Sequence, residues 1–230
     1  MRLVLARHGR TTANVAHILD SRPPGAPLDE LGLDQAERLG RRLADHPVRA
    51  VYASRATRAQ QTAKPVAAAH GLAVEVIDGV HEVLVGDLEG RSDDAALEAF
   101  RDVYDAWWRG DLDARLPGGE SALNLRSRYL PAVERIVAAV DGYSGDGNVD
   151  VDVDVDVDVD VDVDVDVVLV SHGAAIRLAA AALLGDTAET WYVPNTGLVV
   201  LRPTPGGWEL EDWDTAEPVA KDVTAGGAPD

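Results

Sequence analysis

Two short segments carry residue types able to do chemistry, Arg7-His8-Gly9 and Ser171-His172-Gly173. Each follows an apolar run, Leu3-Val4-Leu5-Ala6 in the first case and Val167 to Val170 in the second. A third run, Ala50-Val51-Tyr52-Ala53, ends at Ser54, with Arg58 four residues further on. A neutral imidazole is a competent nucleophile toward phosphorus. Guanidinium groups are planar, permanently charged and matched to phosphoryl oxygens in pairs. Two histidines and two arginines on one rim would therefore suit a phosphoryl group, and the arginines would keep a nearby histidine unprotonated.

For these residues to meet, the apolar runs must be neighbouring strands. Asp29 to Asp45 places Leu31, Ala36, Leu39 and Leu43 on one helical face. Thr57 to His70, Asp93 to Arg109, Ser121 to Val140 and Ala174 to Leu184 also read as helices, and Pro65 is a flaw in the first of them. Leu72 to Ile77 is strand-like, and Leu198 to Leu201 with Trp208 to Leu210 reads as a terminal hairpin around PTPGG. Strands alternating with helices predict an α/β fold, with a mostly parallel central sheet and helices on both faces. Ligands of such sheets bind beyond the carboxyl ends of the strands, where both histidines fall.

The motifs resemble those of the histidine phosphatase superfamily, which includes phosphoglycerate mutases. LARHGRTTAN (5–14) is similar to R-H-G-x-T-x-x-N and GAPLDELGLDQA (25–36) to P-L-T-x-x-G-x-x-Q-A. YASRATRAQQTA (52–63), HEVLVGDLEG (81–90), LPGGES (116–121) and VLVSHGAAIR (168–177) follow in family order. The resemblance implies a phosphoglycerate mutase-like fold with a small helical cap. It also implies a metal-independent phosphomonoester hydrolase without a cofactor. In that reading His8 forms a phosphohistidine, Arg7 and Arg58 grip the phosphoryl oxygens, and a protonated His172 donates to them. Glu82 acts as general acid and then general base, while Thr11, Asn14 and the backbone near Gly173 complete the phosphate pocket. The remaining histidines, His17, His46, His70 and His81, show no pattern and are expected at the surface.

Some positions depart from the family pattern. Arg10 stands where many members carry an acidic or neutral residue, and is expected to add charge beside the nucleophile. SRPPG (21–25) replaces a glutamine-glycine pair, and Leu88 replaces a common tryptophan. The stretch VLVGDLEGRSDD after Glu82 is short and acidic, which resembles the phosphatase branch more than the mutases. Residues 91–117 are expected to form the cap, with Phe100, Tyr104, Trp107 and Trp108 as its core or, alternatively, as an apolar wall for the substrate. Arg101, Arg109 and Arg115 would be either substrate-reading or solvated. The alternatives are a phosphoglycerate mutase-type phosphoryl transferase and a non-catalytic sensor of a phosphorylated ligand.

Val and Asp alternate without a break from Val149 to Val167. A strand of that length would be about twice the usual 3–10 residues, and a period-two sequence has no unique register. An EF-hand calcium loop is excluded, because its sixth position would always be Val and its twelfth never Glu. The repeat is read as a low-complexity insertion at about 144–166, its last residues able to extend the following strand. It interrupts one domain over 1–215, with a disordered tail at 216–230.

Net charge is −19 over 230 residues, and subtracting the nine aspartates at even positions 150 to 166 leaves −10. That sign argues against nucleic acid or anionic membrane as partners. There is no cysteine, and no apolar run approaches a membrane span. The expected partner is a small phosphorylated metabolite, the expected compartment is the cytoplasm, and a homodimer is left open.

Overall fold

A computed structural model describes residues 1–142 and 165–215. Most of the Val-Asp repeat and the tail from Ala216 lie outside the described residues. In chain order the elements are β1 (Arg2–Arg7), α1 (Thr12–Val15), α2 (Glu30–Leu43), β2 (Val48–Ala53), α3 (Thr57–Ala69) and β3 (Val74–Val76). A 3₁₀ turn at Gly86–Leu88 precedes α4 (Asp94–Trp108), α5 (Ala122–Gly142), β4 (Asp166–Ser171), α6 (Gly173–Leu184), β5 (Leu198–Thr204) and β6 (Gly207–Trp213).

The strands form one sheet in the order β3-β2-β4-β1-β5-β6. β1 to β4 run parallel, whereas β5 joins β1 antiparallel and β6 closes the edge as a hairpin partner. This is the mixed α/β sheet expected, with the hairpin strands longer and β3 shorter than their sequence patterns suggest. The central strands are apolar on both faces because helices cover both. Leu3, Leu5, Val167 and Leu169 pack toward α5 and α6 with Trp107, Leu125, Tyr129 and Ile176. Val4, Ala6, Val168 and Val170 point the other way, against Leu39, Leu43, Ala59, Ala63 and Val66 of α2 and α3. Strict alternation of faces along a strand turns one continuous apolar run into two half-cores.

α2 starts where Asp29 accepts the Gly32 N–H at 2.7 Å and α4 where Asp93 accepts the Ala96 N–H, each satisfying a helix donor that has no partner within the helix. Pro65 sits within α3, which runs on through it to Ala69.

The last aspartate of the repeat extends the following strand. This residue, Asp166, is the first of β4 and is fully buried. Its carboxylate accepts Arg2 Nε at 2.6 Å and Arg2 Nη2 at 2.8 Å, with His46 Nδ1 at 3.0 Å. His46 is therefore tied to the sheet rather than free at the surface. His70 likewise bonds the Leu43 carbonyl, and His81 is half-buried, so of the four unpatterned histidines only His17 is exposed. A periodicity argument cannot see these contacts, since each joins residues far apart in sequence that only the folded chain brings together.

Removing a buried carboxylate that holds a bidentate arginine is destabilising. Asp166→Ala is expected to lower unfolding free energy by about 2–4 kcal/mol in urea titrations. By contrast, β4 carries its amino end about 17 Å from Ser171 at ~3.3 Å per residue, so replacing residues 149–164 with a Gly/Ser sequence of equal length is expected to leave turnover within about twofold.

Candidate active site

The carboxyl ends of β1, β2 and β4 meet at one rim. The His8 N–H donates to the Ser171 carbonyl at 3.0 Å and the Ser54 N–H to the Val170 carbonyl at 3.1 Å, which continues the sheet into the site. His8 is buried. Its Nδ1 lies 2.7 Å from the Gly9 carbonyl, an acceptor only, so Nδ1 carries the proton. Nε2 is left with its lone pair, and Arg58 Nε donates to it at 3.1 Å. Burial first, then the charges of Arg58 and Arg7, hold the His8 pKa well below the ordinary 6.5. This is the neutral tautomer a nucleophile needs. Gly9 has no side chain for a local reason, because a Cβ there would stand 2.6 Å from the Gly32 carbonyl oxygen.

Arg58 reaches the site from the first turn of α3. Thr62 one turn later donates to the Arg58 carbonyl and accepts the Gly9 N–H, so it ties helix to nucleophile loop. Arg58 Nη1 donates to Asp20 Oδ2 at 3.1 Å and Nη2 to the Asp20 carbonyl at 2.8 Å. Arg7 donates through Nη1 to Tyr192 and to the Val193 carbonyl, and its guanidinium lies over the Tyr192 ring. Arg7 Nε is buried with no hydrogen-bond partner.

Glu82 stands at the start of α6. Its carboxylate accepts the N–H groups of Val83 at 2.8 Å, Ala175 at 2.9 Å and Ala174 at 3.3 Å. Arg128 of α5 fixes the loop that carries it, donating to the carbonyls of Gly79, His81 and Glu82. Glu120, the acid of the LPGGES motif, pairs with Arg128 at 2.8 Å and accepts the Leu84 N–H. That motif thus acts on Glu82 through one arginine and the backbone.

A cavity of about 130 Å³ is lined by Arg7, His8, Thr11, Asn14, Arg58 and Glu82, six of the eight residues singled out from sequence. Thr11 and Asn14 cap the short helix α1 reciprocally, with Asn14 Oδ1 held by the Thr11 N–H. The other two lie behind the wall. His172 is fully buried, its ring 5.1 Å from that of His8 and its Nε2 2.7 Å from Ser54 Oγ. Burial and the Arg58 charge hold it well below 6.5, so it is neutral here rather than protonated. Ser54 Oγ also accepts the Ala56 N–H, and His172 Nδ1 is buried with no hydrogen-bond partner. Gly173 backs onto Arg7, where a Cβ would lie 3.2 Å from Nε.

Other expectations are revised. Arg10 does not line the cavity; it pairs with Asp29 at 2.8 Å. Arg101, Arg109 and Arg115 are exposed and line no part of it. Leu88 is buried, and of the cap aromatics Phe100 reaches the cavity while Trp107 is core. Asp20, Ser21 and Tyr192 were missed. Asp20 carries no distinguishing signal in a chain with 40 acidic residues, and Tyr192 arrives from a loop far along the chain.

The two depressed histidines couple acidity to stability. Below pH 6.5 the unfolded chain binds protons on these groups that the folded chain does not, so stability is lost as pH falls. The urea midpoint is expected to fall from pH 6.5 to 5. His8→Ala should make that fall shallower by up to about 1.4 kcal/mol per pH unit, the value of one proton.

The histidine phosphatase superfamily (branch 1) profile matches residues 3–144 and 160–216. The protein PE_PGRS11 of Mycobacterium tuberculosis is 30% identical over 90% of this chain, which spans 35% of that longer protein. A glucosyl-3-phosphoglycerate phosphatase of Mycolicibacterium vanbaalenii is 28% identical over 96% of this chain and 98% of its own. A 2,3-bisphosphoglycerate-dependent phosphoglycerate mutase of Methylorubrum populi is 34% identical over 62% of this chain and 74% of its own. The solved structure of a mycobacterial glucosyl-3-phosphoglycerate phosphatase complexed with VO3 superposes with a TM-score of 0.74 at 27% identity, covering 94% of this chain and 99% of that one. The chain belongs to the histidine phosphatase superfamily, branch 1, among relatives that include named phosphatases.

Proposed function

We propose that the protein is a metal-independent phosphomonoester hydrolase working through a phosphohistidine on His8. One observation carries this reading: His8 offers an unprotonated Nε2, fixed by the Gly9 carbonyl, in a cavity it shares with Arg7, Arg58 and Glu82. A sensor of phosphorylated ligands would need the cations but neither a locked nucleophile nor a carboxylate beside it.

In the first step Nε2 attacks phosphorus and the bond from phosphorus to the ester oxygen breaks. The Arg58 Nε–H that now rests on Nε2 moves to a phosphoryl oxygen, so the lone pair is released as the oxyanion is gripped. Arg7 Nε, which has no partner, supplies a further donor as charge spreads over the oxygens. Glu82 in its protonated form gives its proton to the leaving alkoxide. In the second step Glu82 takes a proton from water, the water oxygen bonds to phosphorus and the bond to Nε2 breaks. Inorganic phosphate leaves and neutral His8 is restored. Among the described residues no cluster of three or more His, Cys, Asp or Glu could hold a metal ion, and none is used in these steps.

The mutase alternative has the same first step but returns the phosphoryl group to an acid instead of to water. The partial match to a mutase keeps it in view, and product analysis on phosphoglycerates separates the two.

Phosphate release from phenyl phosphate in EDTA is expected for the wild type and to fall by about 10³-fold or more in His8→Ala. Glu82→Gln should lower kcat by about 10²–10⁴-fold on phenyl phosphate. The loss in kcat/KM, which reports the first step, should be much smaller on para-nitrophenyl phosphate, whose leaving group needs no proton. Undiminished release by His8→Ala would sink the mechanism.

A further inference from the structure

The charge of Arg58 is already answered by a carboxylate. Asp20 Oδ2 accepts Arg58 Nη1 and also the Ala26 N–H at 2.8 Å, while the Asp20 carbonyl accepts Nη2. Nε faces His8, and each terminal nitrogen keeps one further N–H. Arg58 is 3% exposed and packs against Gly25, where a Cβ would lie 2.3 Å from Nη1. Gly25 has φ +61°, a left-handed conformation that itself favours glycine.

Asp20 also lines a second space, an open groove of about 440 Å³ that adjoins the cavity and shares Ala13, Ile18 and Leu19 with it. An ester whose phosphoryl group sat against His8 could extend its alcohol portion into this groove. Among the described residues the groove is walled by small and aliphatic side chains, with Asp20 and Glu89 as its charged members. Among the described residues the arginines lining the cavity are Arg7 and Arg58, both beside His8. A second anion on the substrate would therefore meet carboxylates and no cation of its own.

Resting on the hydrolase reading above, we propose that Asp20 is a specificity-determining residue. It restricts the site to phosphomonoesters whose alcohol portion carries no negative charge, the body of that alcohol lying along the Ile18–Leu19 groove. Asp20 does so by neutralising Arg58 and by presenting a like charge to any carboxylate placed beside the phosphoryl group. A like-charge contact at the cavity edge is expected to disfavour such a ligand by about tenfold or more at low ionic strength.

A matched pair tests this. Glycerol 3-phosphate and 3-phosphoglycerate are both esters of a primary alcohol and differ in a hydroxymethyl group against a carboxylate. The wild type is expected to favour the glycerol ester by about tenfold or more in kcat/KM. Asp20→Asn keeps an acceptor oxygen for Arg58 Nη1 and the Ala26 N–H but loses the charge. It should bring the ratio toward one, chiefly through a lower KM for the carboxylated ester. If Asp20 merely held the loop, both substrates would suffer by one factor and the ratio would stand, which overturns the proposal. So would a wild type that handles 3-phosphoglycerate equally well or better. Calorimetric binding of the same two esters to His8→Ala protein, with and without Asp20→Asn, reads the selection without turnover. The hydrolase reading can thus fail in the turnover assay while the charge selection stands or falls on the binding ratio.

Discussion

A histidine pressed between two guanidinium groups and removed from water has only one tolerable state, the neutral one. Much of the active-site rim follows from that constraint. The Gly9 carbonyl decides which nitrogen keeps the proton, and the absence of a side chain at Gly9 lets α2 approach closely enough to fix that loop. Arg58 must come from the first turn of α3, and Thr62 one turn later joins it back to Gly9. The second histidine is packed against the first and neutral for the same reason, its orientation set by Ser54 at the end of the neighbouring strand.

The sheet makes this crowding possible. Three parallel strands deliver Arg7, Ser54 and Ser171 to one edge in register, so that short side chains and backbone groups set the distances. The acid comes by a different route. Glu82 sits on a loop with no regular structure of its own, held by Arg128 through three carbonyls and by the amide ends of α6 through its carboxylate. Nucleophile and acid are therefore supported by separate parts of the fold, the sheet rim for one and the α5–α6 layer for the other.

Much of this was legible in the residues. The apolar runs marked the strands because burial on both faces leaves no polar position inside them, and the residue after each run marked the rim. Six of the eight residues chosen from sequence line one cavity. What could not be read depends on long-range pairing. Arg10 looked like added charge beside the nucleophile until Asp29 neutralised it, and Asp20 was one carboxylate among many until it met Arg58. His172 was legible as part of the site but not its place behind the wall or its protonation, since both depend on how deeply the strand end is buried.

The clamp on Asp166 bears on how this chain tolerates changes in its own coding sequence. Arg2 and His46 require an aspartate at the first position of β4, and the residues before it are a run of identical Val-Asp pairs. Gain or loss of any whole pair delivers an aspartate to the same place, followed by the same valine-rich strand with the same faces inward. A dipeptide tract is an error-prone template, yet the only change in phase that slippage by a full unit can make is one the sheet does not register. Loss of a single residue is felt only at Asp166 itself, where Val165 would then face Arg2; elsewhere in the tract it shortens the connection and leaves the anchored aspartate in place.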